Sequence, residues 1–160
     1  MGSGKTTIGR ALAYRLGFGF VDSDEVIQLR TGRTVREIFA SEGEATFRQL
    51  ESAALLDALA WREPLVVAAA GGVVLAEPNR VALRQRAGRI VWLTAPVDVL
   101  AARAETGEHR PLLDEDVAAS MARLYAEREP LYRGLAQQIV ASDDRPIADI
   151  VTEIVGSLRS

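Results

Sequence analysis

The first residues of the chain are of the types that bind phosphate. Residues 2–7 match the second half of the motif G-x-x-x-x-G-K-[ST], and they are Gly2, Ser3, Gly4, Lys5, Thr6 and Thr7. In this motif, backbone amides of a glycine-rich turn and a helix N-terminus hold phosphate oxygens, the lysine reaches them, and the next hydroxyl ligates Mg²⁺. Residues 2–7 therefore predict a nucleotide-phosphate site.

Lys5 stands out because it is the only lysine, whereas the other 18 of the 19 basic residues are arginine. Codon bias accounts for most of the arginines. A compact ammonium group suits a position between phosphate oxygens better than a planar guanidinium does. We interpret Lys5 as a phosphate ligand.

Two acids, Asp22 and Asp24, follow a short apolar run at residues 18–21 that predicts a strand. In open α/β sheets, ligands bind at the carboxyl ends of the strands. Residues two apart on a strand share a face, so we expect both carboxylates to face a ligand there. The alternative is that they cap the helix that follows.

Bulk composition narrows the class of protein. A chain of 160 residues with 48% apolar content predicts one globular domain, residues 1–160. Without cysteine, and with His109 as the only histidine, a bound metal is expected to have oxygen ligands. The net charge of −3 and the absence of a long apolar run favour neither nucleic acid nor a membrane as partner. We expect a cytoplasmic protein.

Strand and helix patterns alternate along the chain. Strands are predicted at residues 65–69, 89–93 and 138–141. Helices are predicted at 6–16, 44–61, 97–104, 116–129 (ending before Pro130) and 146–158, with a capping box at 34–37. Residues 105–115 have loop composition and are a candidate lid. Trp61 and Trp92 are expected in the core.

This alternation predicts an α/β fold, a P-loop NTPase-type three-layer sandwich with a mostly parallel sheet. The first glycine of the motif would precede Met1 by two residues, so we expect the first strand and the start of the P-loop to be missing from this chain. A strand at the sheet centre pairs on both sides, and its neighbours would be left unpaired.

Two classes of P-loop protein are disfavoured. The guanine-reading motif N-K-x-D needs a second lysine, which the chain lacks. The strand ending at Ala69 carries no terminal acidic pair of the kind found in motor ATPases. Small-molecule kinases remain.

Within that class the chain resembles the shikimate kinase family, and the resemblance runs through most of its length. The matching segments are residues 2–9, 20–24, 30–32, 38–39, 43–44, 47–48, 51, 71–74, 110–113, 127–128 and 130–132. It implies transfer of the ATP γ-phosphoryl group to the 3-hydroxyl of shikimate, with ATP and shikimate as partners and Mg²⁺ as cofactor. We expect a monomer.

The resemblance implies roles around the nucleotide. Lys5 would neutralise β- and γ-phosphate charge, and Thr6 would hold Mg²⁺ with Asp22 behind it through water. Arg110, in the candidate lid, would close on the phosphates. Arg103 would lie against the adenine.

It also implies a substrate-binding region at about residues 22–61. Asp24 would orient the attacking hydroxyl, and Arg48 and Arg128 would pair with the substrate carboxylate. Glu51, close to Arg48 on the same helix, would hold that guanidinium in place.

Gly71 and Gly72 would let backbone amides approach the substrate. The family has a third glycine where this chain has Ala70, whose methyl group would either crowd the substrate or fill space. Two alternatives stay open. One is a kinase for another small hydroxylated acid such as gluconate, and the other is a catalytically impaired domain that binds a ligand or regulates.

Overall fold

A computed structural model describes residues 2–105 and 116–158. Its helices are α1 (Lys5–Leu16), α2 (Ser23–Thr31), α3 (Val35–Leu59), α4 (Glu77–Arg86), α5 (Val97–Glu105), α6 (Val117–Leu135) and α7 (Ile147–Leu158). Its strands are β1 (Gly19–Asp22), β2 (Leu65–Ala68), β3 (Val91–Thr94) and β4 (Gln138–Ala141), and a 3-10 helix covers Gly71–Leu75. Most of the candidate lid, residues 106–115 with Arg110, lies outside the described residues.

Local sequence signals explain several boundaries. Gly17 ends α1 in a left-handed conformation (φ 69°) that glycine adopts without strain. Thr34 and Glu37 form the expected capping box at the start of α3. Gly43, at φ 80° and ψ 174°, interrupts α3, so the helix predicted from residue 44 begins at a real kink.

Alternating residues of β3 place the sheet between two layers of helices. Val91 and Leu93 pack with buried residues of α1 and α7, including Ile8 and Ile154. Trp92 instead packs against Tyr125 and Tyr132 of α6, with ring centroids 6.4 and 5.7 Å away. Because successive strand residues face opposite sides, this is the expected three-layer sandwich.

The strands form two parallel pairs rather than one sheet. β1 pairs with β2 from Gly19↔Leu65 to Asp22↔Ala68, and β3 pairs with β4 from Val91↔Gln138 to Thr94↔Ala141. Residues of β2 and β3 line one apolar cavity of about 610 Å³, here called the central cavity.

Two expectations about the elements were wrong, and two elements were missed. Helix α6 continues through Pro130 to Leu135, because Leu131, Tyr132 and Leu135 pack into the core cluster around Leu55. Helix α4 and the 3-10 helix were not predicted. Trp61 is 65% exposed rather than in the core, because it follows the end of α3.

Among residues 2–105 and 116–158, every helix is too short or too polar to cross a membrane.

Candidate active site

The N-terminal loop has the geometry of an anion site. Gly2 and Gly4 adopt left-handed conformations, with φ 72° and 80°, before α1 begins at Lys5. Gly4 is the N-cap and has no side chain with which to cap the first amides of the helix. These amides and the positive end of the helix dipole favour a bound anion, as the motif predicted.

Thr6 and Asp22 are brought together at the end of β1. The Thr6 hydroxyl donates to Asp22 Oδ2 at 2.6 Å, and Asp22 is buried. Because Thr6 uses its proton in this bond, its lone pairs stay available to a cation.

The described residues fit Mg²⁺ with few protein ligands. In the described ranges, no group of three or more His, Cys, Asp or Glu residues is placed to hold a metal. A Mg²⁺ ion beside Thr6 and Asp22 would therefore take most of its ligands from water and phosphate, which is its usual preference.

Asp24 does not lie on the strand, contrary to the expectation that it shares a strand face with Asp22. Asp22 Oδ1 accepts a hydrogen bond from the Asp24 amide at 2.9 Å, and Asp22 is thereby the N-cap of α2. The capping bond starts the helix at Ser23, so Asp24 lies in its first turn. The capping alternative is thus correct for Asp22.

Arg48 is held by two carboxylates on its own helix. Its Nη1 donates to Glu51 Oε2 at 2.6 Å, and its Nη2 and Nε donate to Glu44 Oε1 at 2.8 and 3.1 Å. The Glu51 side chain is 2% exposed, whereas that of Glu44 is 52% exposed. The expected contact between Glu51 and Arg48 is present in the structure.

Gly72 leaves the space that this guanidinium fills. A Cβ atom built on Gly72 would lie 1.7 Å from Arg48 Nη1 and 2.9 Å from Glu51 Oε2. Any side chain there would push the charged group away. The glycine therefore allows the arginine to approach, a reason the sequence reading did not foresee.

Arg128 lies near Gly71, the residue before Gly72. It is 7% exposed, and its Nε atom has no hydrogen-bond partner among residues 2–105 and 116–158. A Cβ atom on Gly71 would lie 3.7 Å from Arg128 Nη1 and 2.9 Å from the Tyr132 hydroxyl, which donates to Gly71 O at 2.8 Å. Arg48 and Arg128 thus lie next to Gly72 and Gly71, respectively.

The pKa of Glu51 depends on its burial and on several charged groups nearby. Burial raises its pKa, Arg48 and Arg128 act to lower it, and Asp24 adds to the increase. Burial also raises the pKa of Tyr132, which Arg128 opposes. Asp24, Arg48, Glu51 and Arg128 therefore share one electrostatic environment.

Ala70 fills space in the core. It is 5% exposed and belongs to the cluster that contains Leu55, Val73 and Leu135. Its amide donates to the Ser23 hydroxyl at 2.8 Å, which ties the turn after β2 to the start of α2.

Arg103 reaches the N-terminal loop from α5. Its Nη1 and Nη2 atoms donate to Gly2 O and Ser142 O at 3.3 and 3.2 Å. These bonds connect the loop to the segment after β4. The predicted stacking of Arg103 on adenine stays a prediction.

Sequence reasoning did not foresee that three further residues form hydrogen bonds with groups of the site. They are Ser23, Glu44 and Tyr132. Tyr132 is four residues after Arg128, so its position would have followed from continuing α6 through Pro130. Glu44 is four residues before Arg48, a spacing that predicts an ion pair on a helix.

Comparisons with known proteins agree on one family. The family model for shikimate kinase matches residues 1–159. The shikimate kinase of Psychrobacter cryohalolentis is 44% identical over 161 residues, covering 100% of this chain and 86% of that protein.

Solved structures give the same result. Shikimate kinase from Acinetobacter baumannii in complex with shikimate superposes with a TM-score of 0.94 at 38% identity, covering 99% of this chain and 88% of that one. A gluconokinase from Sinorhizobium meliloti, at 25% identity and covering 99% and 87% of the two chains, reaches a TM-score of 0.58. The chain belongs to the shikimate kinase family.

Proposed function

We propose that this chain transfers the γ-phosphoryl group of ATP to the 3-hydroxyl of shikimate, giving shikimate 3-phosphate and ADP. The observation that carries the proposal is that Arg48 and Arg128 lie next to the adjacent glycines Gly72 and Gly71. Two fixed guanidinium groups suit a substrate carboxylate, which gluconate also has. Family membership then favours shikimate over gluconate.

The residues divide into two groups by the substrate they serve. Amides of residues 2–7 and the Lys5 ammonium hold the ATP phosphates, and Arg110 closes on them from the candidate lid. Asp24 accepts a hydrogen bond from the attacking hydroxyl and orients it. The hydroxyl oxygen attacks the γ-phosphorus as the bond to the β,γ-bridging oxygen breaks, ADP leaves, and the hydroxyl proton passes by way of the Asp24 carboxylate to solvent.

Mg²⁺, held by Thr6 and through water by Asp22, would supply positive charge to the phosphate oxygens. Among the chain's own residues, Glu51 keeps Arg48 beside Gly72, and Tyr132 keeps the Gly71 carbonyl beside Arg128. The domain is expected to act in the cytoplasm as a monomer, without nucleic acid or membrane.

The test measures ADP release from MgATP with shikimate, with gluconate and with no acceptor. We expect release that depends on shikimate. Release with gluconate alone would assign the chain to another acid. Shikimate binding without any ADP release would favour a ligand-binding domain.

Arg128→Ala tests the carboxylate site, and Arg123→Ala, on the exposed side of the same helix, is its control. A charged hydrogen bond contributes about 1.5 to 3 kcal/mol, so Arg128→Ala should weaken shikimate binding roughly tenfold or more and spare ATP binding. Equal effects of the two variants would remove Arg128 from the site.

Lys5→Ala should abolish turnover but leave shikimate binding measurable.

A further inference from the structure

The two glycines of the candidate site, residues 71–72, lie between two residues whose backbone is anchored. Before them, the Ala70 amide donates to the Ser23 hydroxyl at 2.8 Å. After them, the Val73 amide donates to Ala70 O at 3.2 Å, and Val73 O accepts from Asn79 Nδ2 at 3.0 Å. Glycines have no side chain with which to pack, so these flanking bonds help to fix the backbone of the pair.

Asn79 supplies one of these anchors from the first turn of α4. It is 3% exposed, and α4 begins two residues earlier at Glu77. Its Nδ2 atom also donates to the Ser52 hydroxyl of α3 at 2.9 Å. An asparagine amide has two N–H donors, and here one binds the 3-10 helix and the other binds α3. Because a buried amide is costly unless it is hydrogen-bonded, these two bonds hold its orientation.

The α3 end of this amide bridge lies next to the residues that hold the substrate arginine. Ser52 directly follows Glu51, whose carboxylate pairs with Arg48 at 2.6 Å. Asn79 therefore connects the helix that carries Arg48 to the turn that carries the glycines. The spacing between them is close, since a Cβ atom on Gly72 would lie 1.7 Å from Arg48 Nη1. A small shift of either element would change how the guanidinium meets the Gly72 backbone.

We propose that Asn79 is a positioning residue for shikimate, which holds the glycine pair in a fixed place relative to Arg48. This role rests on the proposed function. Without the amide bridge, only a fraction of the molecules has the arrangement that binds the substrate, and the apparent shikimate affinity falls by that fraction. The bridge joins α3 to the 3-10 helix, whereas the phosphate loop leads into α1, so ATP binding is not affected.

Isothermal titration calorimetry of the full chain with shikimate and, separately, with ATP tests this role. Asn79→Leu keeps the number of side-chain heavy atoms but has no N–H donor. We expect it to weaken shikimate binding roughly fivefold or more and to change the ATP Kd less than about twofold, because the net worth of a hydrogen bond corresponds to about two- to tenfold in an equilibrium constant. In the ADP-release assay, KM for shikimate should rise by a larger factor than kcat falls.

Variants of Ser52 break the bridge at its other end. Ser52→Ala should weaken shikimate binding about two- to fivefold, whereas Ser52→Thr keeps the hydroxyl and should stay close to the original chain. The double variant should bind shikimate no more weakly than Asn79→Leu alone, because both changes remove the same bridge. The control is Ala82→Gly, which destabilises α4 at a buried alanine and should leave the shikimate Kd unchanged.

An unchanged shikimate Kd in Asn79→Leu would overturn the role and leave the proposed function in place, since the original chain would still bind shikimate. Equal weakening of shikimate and ATP binding, or an equal effect of Ala82→Gly, would also overturn it, because α4 would then support the fold rather than the site. Additive effects of Asn79→Leu and Ser52→Ala would overturn the bridge. If Asn79→Leu does not fold, the difference between Ser52→Ala and Ser52→Thr decides. Failure of the original chain to bind shikimate would overturn the proposed function and this role with it.

Discussion

Arg48 forms ion pairs with two carboxylates, Glu51 and Glu44, and the two pairs differ in how easily they can be broken. Glu51 is buried and fixed, whereas Glu44 is half exposed and occupies the Nε and Nη2 side of the guanidinium. A substrate carboxylate that binds Arg48 with two parallel hydrogen bonds needs one such side. Under the proposed function, Glu44 would therefore compete with the substrate for Arg48.

We expect Glu44→Ala to tighten shikimate binding. An exposed ion pair contributes about 0.2 to 1 kcal/mol, so removing the competitor should lower the shikimate Kd by up to about fivefold. Isothermal titration calorimetry measures the shikimate Kd. Glu42→Ala, which removes a neighbouring carboxylate paired with Arg33, is the control and should leave the Kd unchanged. Weaker binding by Glu44→Ala would mean that Glu44 orients Arg48 rather than competing for it.

Glu51 should make stability depend on pH in a defined direction. Burial raises its pKa above the ordinary value of about 4.3 that the unfolded chain has. Between those two pKa values the folded state binds more protons than the unfolded state, so the free energy of unfolding falls as pH rises through this window.

Glu51→Gln removes this titration. At each pH, the free energy of unfolding of the original chain is compared with that of Glu51→Gln. We expect this difference, original minus variant, to fall as pH rises above about 4.3. Urea denaturation of both proteins at several pH values between 4 and 7 measures it. A difference that is constant or grows with pH would contradict the raised pKa.

At the scale of elements, the start of α3 rests on a local signal. The Thr34 hydroxyl accepts from the Glu37 amide at 3.2 Å, and Glu37 Oε2 accepts from the Thr34 amide at 2.7 Å. The part of α3 that precedes the kink at Gly43 contributes Ile38, which is fully buried in a cluster with Phe47. Phe47 adjoins Arg48, so the cap supports the segment that leads into the site.

We expect Thr34→Ala to lower the free energy of unfolding by about 0.5 to 2 kcal/mol, because an N-cap hydroxyl is lost. Thr34→Ser keeps that hydroxyl and should stay close to the original chain. Chemical denaturation compares the three proteins. Equal loss in both variants would show that the Thr34 methyl group, rather than the cap, is what matters.

Local signals also decide which elements were predictable. Strand β4 was predicted from a short apolar run. Helix α1 was predicted from the spacing of its apolar residues and from Gly17, which ends it. Both signals act within a few residues. Helix α6 was ended too early, since the cost of Pro130 in a helix is outweighed by the packing of Leu131, Tyr132 and Leu135, which no local pattern shows.

In the candidate site, too, some features were predictable from the sequence and others depended on long-range packing. Arg48, Glu51 and Arg128 were named from the resemblance to the shikimate kinase family, and the structure brings them together near Gly71 and Gly72. Contacts that join distant segments, such as Ser23 with Ala70 and Tyr132 with Gly71, depend on how elements pack and were not found.

At the scale of the whole molecule, helices far apart in sequence share one packing layer with the phosphate loop. Ile8 of α1 packs in a buried cluster with Val140 of β4 and Ile150 and Ile154 of α7. Helix α1 begins at Lys5, so the packing of this layer helps to fix its N-terminus and the loop amides. The last helix therefore supports a site to which it contributes no predicted ligand.

Ile154→Ala tests this support, with Ile147→Ala as the control in the same helix. Ile154 is 2% exposed and Ile147 is 42% exposed. Removing the buried side chain should cost about 2 to 5 kcal/mol of unfolding free energy, and the control should cost much less. If the layer fixes the loop, Ile154→Ala should also weaken ATP binding under conditions where circular dichroism shows a folded protein, while shikimate binding changes less. Loss of stability with unchanged ATP affinity would mean that α1 holds the loop without α7.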